Sequence, residues 1–480
     1  MSNCIETGKK SDLKSVRVRM YRPGLGDCFL LTFHGENRDV NMLIDCGVFL
    51  GTSGGADRIR EIVQDIDAQS NHKLDVVVAT HEHWDHLSGF VYAQPAFEAL
   101  DIDQVWLAWT EDPNNPLAQE LRMERELKFN ALQMALTNLG DEFGDFGMGL
   151  QEVLNFFGES LGAAGGRTTR AAMDFIATHR SAAIRYCYPS EAPLMIESLP
   201  GVRIYVLGPP EDETLIKHSE PSTAGDEVYQ LTRLNLANSF FAALPPGAED
   251  DKFGQIRDLC FPFDHQFRIS REEAQQQEFF TQYYGFDGGE KDDIGWRRID
   301  VDWLNMAGEL ALALDSDTNN TSLVLAIELV DTGKVMLFPA DAQVGNWQSW
   351  HSHQWELVLA NDQTKMVTAR DLLARTVLYK VGHHGSHNAT LRDQGLEMMN
   401  SQELVAMIPV DEQFAAKKAW KMPFQPLLSR LVQKTRGRVI RADRGVPSPE
   451  ELTSLTQKEV GDFQAAVEAT DLFVDYTLQV

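Results

Sequence analysis

The chain has 480 residues, 43% hydrophobic and 24% charged, enough to bury a large core without staples. Its 43 Lys and Arg against 71 Asp and Glu give a net charge of −28, which argues against loose binding to nucleic acid or to an anionic membrane. Five cysteines (Cys4, Cys28, Cys46, Cys187 and Cys260) with no CxxC pair argue against a disulfide framework and for a reducing compartment.

No apolar run approaches membrane-spanning length, and residues 1–15 are polar, without the apolar run of a signal peptide. A cytoplasmic location and no membrane partner are therefore expected. Short apolar runs at 16–21, 28–33 and 40–44 predict strands, split by Pro23-Gly24 and Gly35-Glu36-Asn37. Helical spacing over 56–68 puts Ile59, Ile62, Val63 and Ile66 on one face. Residues 74–79 are almost wholly apolar, as in a strand covered on both faces. A strand is predicted at 103–109.

The pattern then changes. Residues 111–185 read as an insertion, with an amphipathic helix at 117–139. Its segment 140–166 is rich in glycine and holds Phe143, Phe146, Phe156 and Phe157, a composition suited to a lid. A strand at 202–207 precedes a second, acidic insertion at 211–317. Strand signals resume at 322–330, 335–339 and 376–381, and the turn Asp331-Thr332-Gly333-Lys334 joins the first two. Residues 364–374 have helical character. The last predicted strands are 404–409 and 438–442, and 446–480 reads as a helical tail. The expected domain thus spans 16–445, with strand blocks 16–110 and 322–445. Two such blocks imply packed sheets with helices outside.

The chemistry concentrates just after the run 74–79, where His81, His83, Asp85 and His86 crowd into the segment His81-Glu82-His83-Trp84-Asp85-His86. In extended chain, residues two apart point the same way, so His81 and His83 can share one metal. A turn into a helix at Trp84 or Asp85 swings Asp85 and His86 towards a second. Imidazole with carboxylate suits zinc, manganese or iron rather than calcium. Paired metals activate water and clamp the attacking and leaving oxygens. Other chemistries lack support: there is no GxxxxGK[ST] or GxGxxG phosphate loop and no GxSxG elbow.

This segment resembles the HxHxDH signature of the metallo-β-lactamase superfamily. Leu43-Ile44-Asp45-Cys46-Gly47 resembles the early strand whose Asp supports the metal loop. Leu337-Phe338-Pro339-Ala340-Asp341 resembles the strand ending in the bridging aspartate, and Val381-Gly382-His383-His384-Gly385-Ser386 resembles the final histidine motif. Three features are similar to the hydrolase domain of DNA-uptake competence proteins and their phosphorylcholine-esterase relatives. They are Gly24-Leu25-Gly26-Asp27-Cys28, Asn320-Thr321-Ser322 with its following apolar run, and Lys380 leading into the histidine pair.

The resemblance implies an α/β fold, a four-layer αββα sandwich carrying large, mainly helical insertions. It implies two divalent metal ions, zinc first, with manganese or iron as alternatives. His81 and His83 would hold the first metal, and Asp85, His86 and one of His383 and His384 the second. Asp341 would bridge them, Asp45 and Asp27 would support them, and a metal-bound hydroxide would attack. Which of the adjacent histidines coordinates is open; the other, or His387, is a candidate general acid. Lys380 and Ser386 are candidates for touching a phosphate oxygen. The family's third histidine for the first metal has no counterpart after 202–207, which ends in Gly208-Pro209-Pro210. His179 and His218 are the nearest others, and each reads as structural.

The expected function is a metal-dependent phosphodiesterase acting on nucleic acid, a nucleotide or a phosphodiester headgroup, with nucleic acid engaged only at the metals. The alternatives are a lactone, lactam, thioester or carboxylic-ester hydrolase on the same fold, and a partner-regulated effector with a degenerate metal site. The insertions are candidate docks for a protein partner or a second copy.

Overall fold

The computed structural model describes residues 12–138, 144–158, 168–219, 269, 271–284, 302–358 and 363–480. Among them, eight strands form one sheet. They are β1 (Leu13–Tyr21), β2 (Cys28–Gly35), β3 (Asp39–Cys46), β4 (Lys73–Ala79), β5 (Asp101–Ala108), β6 (Ala183–Cys187), β15 (Val467–Ala469) and β16 (Phe473–Gln479), in the order β15-β16-β1-β2-β3-β4-β5-β6. Six more form a second sheet, ordered β14-β13-β12-β9-β8-β7. These are β7 (Val202–Gly208), β8 (Val324–Leu329), β9 (Lys334–Phe338), β12 (Thr376–Lys380), β13 (Val405–Ile408) and β14 (Val439–Arg441). A separate hairpin joins β10 (Gln354–Val358) to β11 (Thr364–Thr368).

Both sheets begin antiparallel and turn parallel: β3 to β6 run parallel in the first, and β9, β12, β13 and β14 in the second. Their inner faces meet in one core. Val18, Phe29, Met42, Val76 and Trp106 come from the first sheet, and Ile204, Leu325, Met336 and Met407 from the second. The outer face of the first sheet, with Leu30, Leu43 and Val77, packs on helix α1 (Gly55–Ser70) and helix α2 (Trp84–Tyr92). Period-2 alternation therefore buries both faces of β4, which explains its unbroken apolar sequence. Helices Ala369–Ala374 and Gln425–Thr435 contact strands of the second sheet. This is the expected metallo-β-lactamase arrangement, a mixed α/β sandwich with insertions.

The chain divides into two compact units. The first comprises 1–121, 155–224 and 316–480, and the second 122–154 and 225–315. The second unit's described residues are helical, in Gly144–Leu154, Arg271–Gln276, Glu278–Tyr284 and parts of Pro116–Asn138 and Asp302–Asn320. Parts of the anticipated insertions, including Phe143, residues 159–167 and most of 220–301, lie outside the described residues, as do Cys4 and Cys260. No helix among the described residues is long and apolar enough to cross a membrane.

Three expectations need correcting. The tail from 446 is only partly helical: after the helix Gln457–Ala466 it returns as β15 and β16, and β16 pairs antiparallel with β1. Val474, Tyr476 and Leu478 enter the core between the sheets, so burial of that alternating face outweighs the helical reading. The first insertion does not run to 185, because Ala183–Cys187 is the edge strand β6, paired with β5. Its residues other than Cys187 are exposed or half-exposed, which left no apolar signal. Residues 364–374 are not one helix. Thr364–Thr368 is a strand, and Thr368 caps the helix that follows through a capping box with Asp371.

Candidate metal centre

The segment 81–86 leaves the carboxyl end of β4, where ligands collect in open parallel sheets. His83 keeps extended backbone as the N-cap of α2, and the helix starts at Trp84. His83 thus stays extended after a bend at His81-Glu82, while Asp85 and His86 lie in the first turn of α2. Gly47 makes this packing possible. A Cβ at Gly47 would lie 2.3 Å from the Asp85 carbonyl carbon and 2.4 Å from the His86 nitrogen. The loop before β2 closes the other side, with the Asp27 amide donating to the Asp85 carbonyl at 2.9 Å.

Asp45, at the end of β3, organises the floor. It accepts from the Thr80 amide at 2.8 Å and the Thr80 hydroxyl at 2.7 Å, and lies 2.7 Å from His86 Nδ1. That contact turns His86 Nε2 towards Asp341 Oδ2, 3.2 Å away. His384 is held in the same way. Its Nδ1 is 2.6 Å from the Pro409 carbonyl, and its Nε2 is 2.9 Å from Asp85 Oδ2. Ring nitrogens fixed from behind by a carbonyl or carboxylate are the usual outer support of metal-binding histidines.

Asp85, His86, Asp341 and His384, all buried, place one donor atom each within 4.8 Å of one another, and Asp27, Asp45 and His86 form a second such group. His81 Nε2 and His83 Nδ1 face each other at 3.1 Å. Two nitrogens on one tetrahedral zinc, each about 2.0–2.1 Å from the ion, would be roughly 3.3 Å apart. His86 Nε2 and Asp85 Oδ1 are buried without a hydrogen bond, an unfavourable state that a cation would relieve. The nitrogen and carboxylate donors therefore fit divalent transition metals.

The electrostatics of the metal-free cluster follow from burial and crowding. Burial holds His81 far below the usual imidazole range and takes His83 down to about 3. Burial would lower His86 too, but Asp341, Asp27, Asp45 and Asp85 raise it well above normal. Burial would raise Asp85, yet His86 and the contact with His384 hold it at about 2. Asp341 is driven far down by His86, His383 and Lys380 against the same burial.

The backbone is strained at this place. Eight non-glycine described residues have positive φ, and four of them are Asp45, Ala340, His383 and His384. Such left-handed residues persist where the surroundings impose them, and they gather at functional sites.

The resemblance covers the chain's first block most directly. Residues 21–101 match the family model of the metallo-beta-lactamase superfamily. That stretch carries Asp27, Asp45 and the segment 81–86, while Asp341, His383 and His384 reach the same pocket from the second sheet through the fold. The match and the buried His/Asp clusters support a metal-dependent hydrolase in general. No curated protein matches the chain.

The other candidates fall as follows. Lys380, expected at a substrate oxygen, is buried; its ammonium pairs with Asp27, donates to the Ala340 carbonyl at 2.9 Å and lies 3.4 Å from Asp341 Oδ1. Burial pushes the Asp27 carboxyl up, with Lys380 and His86 pulling against it. Ser386 is buried and donates to Asn388 Oδ1 at 3.1 Å. His387 is exposed beside Phe424 and lines a cavity of about 520 Å³ with Arg392 and Arg430. His179 contacts the Phe97 carbonyl at 3.0 Å.

The sequence marks Phe156 and Phe157 as lid candidates but not the side chains that meet them. Glu82 faces away from the donors and sits with Glu111 around Arg170, at 3.4 and 3.1 Å. The rings of Phe156 and Phe157 lie 5.4 and 5.0 Å from His83. Phe156 stacks on Trp420, with Phe49 edge-on to both. Nothing in the local sequence of Phe49 or Trp420 marks them, because their meeting depends on tertiary folding.

Proposed function

We propose that this chain is a metal-dependent phosphodiesterase whose two divalent cations, zinc first, sit at the strand-end pocket. The observation that carries the reading is the convergence of Asp85, His86, Asp341 and His384 within 4.8 Å. His81 and His83 hold the first cation, Asp85, His86 and His384 the second, and Asp341 stands between them. Asp45 and the Pro409 carbonyl hold His86 and His384 in the tautomers that turn Nε2 inward. When bound, a cation pair supplies water activation and charge neutralisation at both oxygens of an in-line displacement.

His387, exposed three residues beyond His384, is the candidate to deliver a proton to the leaving oxygen. The net charge of −28 favours a nucleotide, a strand end or a phosphodiester headgroup over long nucleic acid, whose backbone it would repel. A second reading, an acyl-ester, thioester, lactone or lactam hydrolase, draws support from the aromatic wall of Phe49, Phe156, Phe157 and Trp420 beside His83.

The test is turnover of an aryl phosphodiester by metal-loaded protein, set against the Asp85→Ala/His86→Ala double variant. Turnover is expected from the first and not from the second. Equal rates would end the reading. Ester turnover without phosphodiester cleavage would move the assignment to the acyl hydrolase.

A further inference from the structure

The donors divide unevenly between the two positions. Asp85, His86 and His384 surround one, whereas His81 and His83 bring only two imidazoles to the other. Counting the shared Asp341, the first position has three donors against four at the second, and one imidazole fewer than the three-histidine set of a catalytic zinc. The end of β7, Gly208-Pro209-Pro210, offers none, and His179 is committed to the Phe97 carbonyl.

We propose that His383 is the missing imidazole, so that the adjacent His383 and His384 serve different cations on either side of Asp341. The inference rests on the two-cation reading above.

Neighbouring residues on a strand point opposite ways, which would send one of these histidines out of the pocket. The chain avoids this with three left-handed residues in succession: φ is 42° at His383, 51° at His384 and 80° at Gly385. The curl turns both rings inward. His384 Nε2 reaches Asp85 Oδ2 at 2.9 Å, and His383 Nε2 comes to 3.9 Å from Asp341 Oδ2. That same Asp341 oxygen lies 3.2 Å from His86 Nε2, so His86 and His383 meet at one carboxylate oxygen. The His383 amide donates to Asp341 Oδ1 at 3.1 Å and ties the turn to this carboxylate. His383 Nδ1 is buried without a hydrogen bond, and the ring is within electrostatic reach of both His81 and His83.

The test is metal content of the full chain after loading with Co²⁺ and dialysis, together with the Co²⁺ absorption spectrum. His383→Asn removes the ring while keeping a residue type that tolerates left-handed backbone, and His384→Asn is the comparison. Wild type should hold two equivalents, and each variant one. The two variants should lose different parts of the cobalt spectrum, and the lost site should weaken by about 100-fold or more.

His383→Gly guards against misfolding, because glycine adopts this backbone freely; added imidazole should return its missing equivalent. Two equivalents with an unchanged spectrum in His383→Asn, or no return with imidazole, overturn the assignment and leave the two-cation reading standing. A wild type that binds no metal overturns that reading and the inference with it.

Discussion

Lys380→Met separates two roles for a cation at this pocket. The side chain is 2% exposed, and its ammonium pairs with Asp27 and lies 3.4 Å from Asp341 Oδ1. At an effective dielectric of about 20, the longer contact alone is worth about 5 kcal/mol. Desolvation of the ammonium offsets part of that, and removing one partner of a buried pair leaves a net loss of about 3–5 kcal/mol. Methionine fills nearly the same space, so packing adds little. Urea unfolding of protein kept metal-free with chelator, followed by tryptophan fluorescence, should show this loss. The midpoint stability would fall by roughly a thousandfold in the folded-to-unfolded ratio. Asp27→Asn/Lys380→Met should recover most of it, because the partner charge goes too. Stability within about 0.5 kcal/mol of wild type would refute the reasoning and return Lys380 to the substrate.

Two further expectations concern the scaffold. Gly47→Ala drives a Cβ to 2.3 Å from the Asp85 carbonyl group, which is backbone and cannot swing aside. It should cost about 3 kcal/mol and weaken metal binding, and unchanged melting with full metal content would contradict this. Glu328→Gln tests the buried network in which Glu328 meets Arg203 at 2.8 Å, Tyr205 at 2.8 Å and Arg375 at 2.6 Å. Burial would raise the Glu328 carboxyl, but these partners hold it below its usual value of 4.5. Its contribution is therefore present above that value and fades as pH falls through the lower folded value. The variant should lose about 3 kcal/mol at pH 7 and much less in acid; a loss independent of pH would show that packing, not charge, is responsible.

The sequence made legible whatever is local or doubly constrained. β4 was plain because both faces are covered, and the segment 81–86 because its donors lie within one turn of chain. The end of β16 was overlooked although Val474, Tyr476 and Leu478 alternate, since an acidic, helix-forming stretch precedes them. β6 hid because an edge strand can stay half-exposed. The fate of Lys380 was out of reach for a different reason. Only folding brings Asp27, from the first sheet, and Asp341, from the second, to the same ammonium. The placement of His383 and His384 depends on backbone curl that no spacing rule conveys.

The pairing of β16 with β1 also bears on synthesis. Arg19 and Asp475, joined across that pair, are 456 residues apart. At about 5–20 residues per second, a ribosome needs roughly half a minute to a minute and a half to supply the partner. Throughout that interval the outer rim of β1 offers unmatched amides and carbonyls, the kind of template that recruits foreign strands. Slow translation or early termination should therefore send this polypeptide towards aggregates, and chaperone capture during elongation should count for more than its final stability.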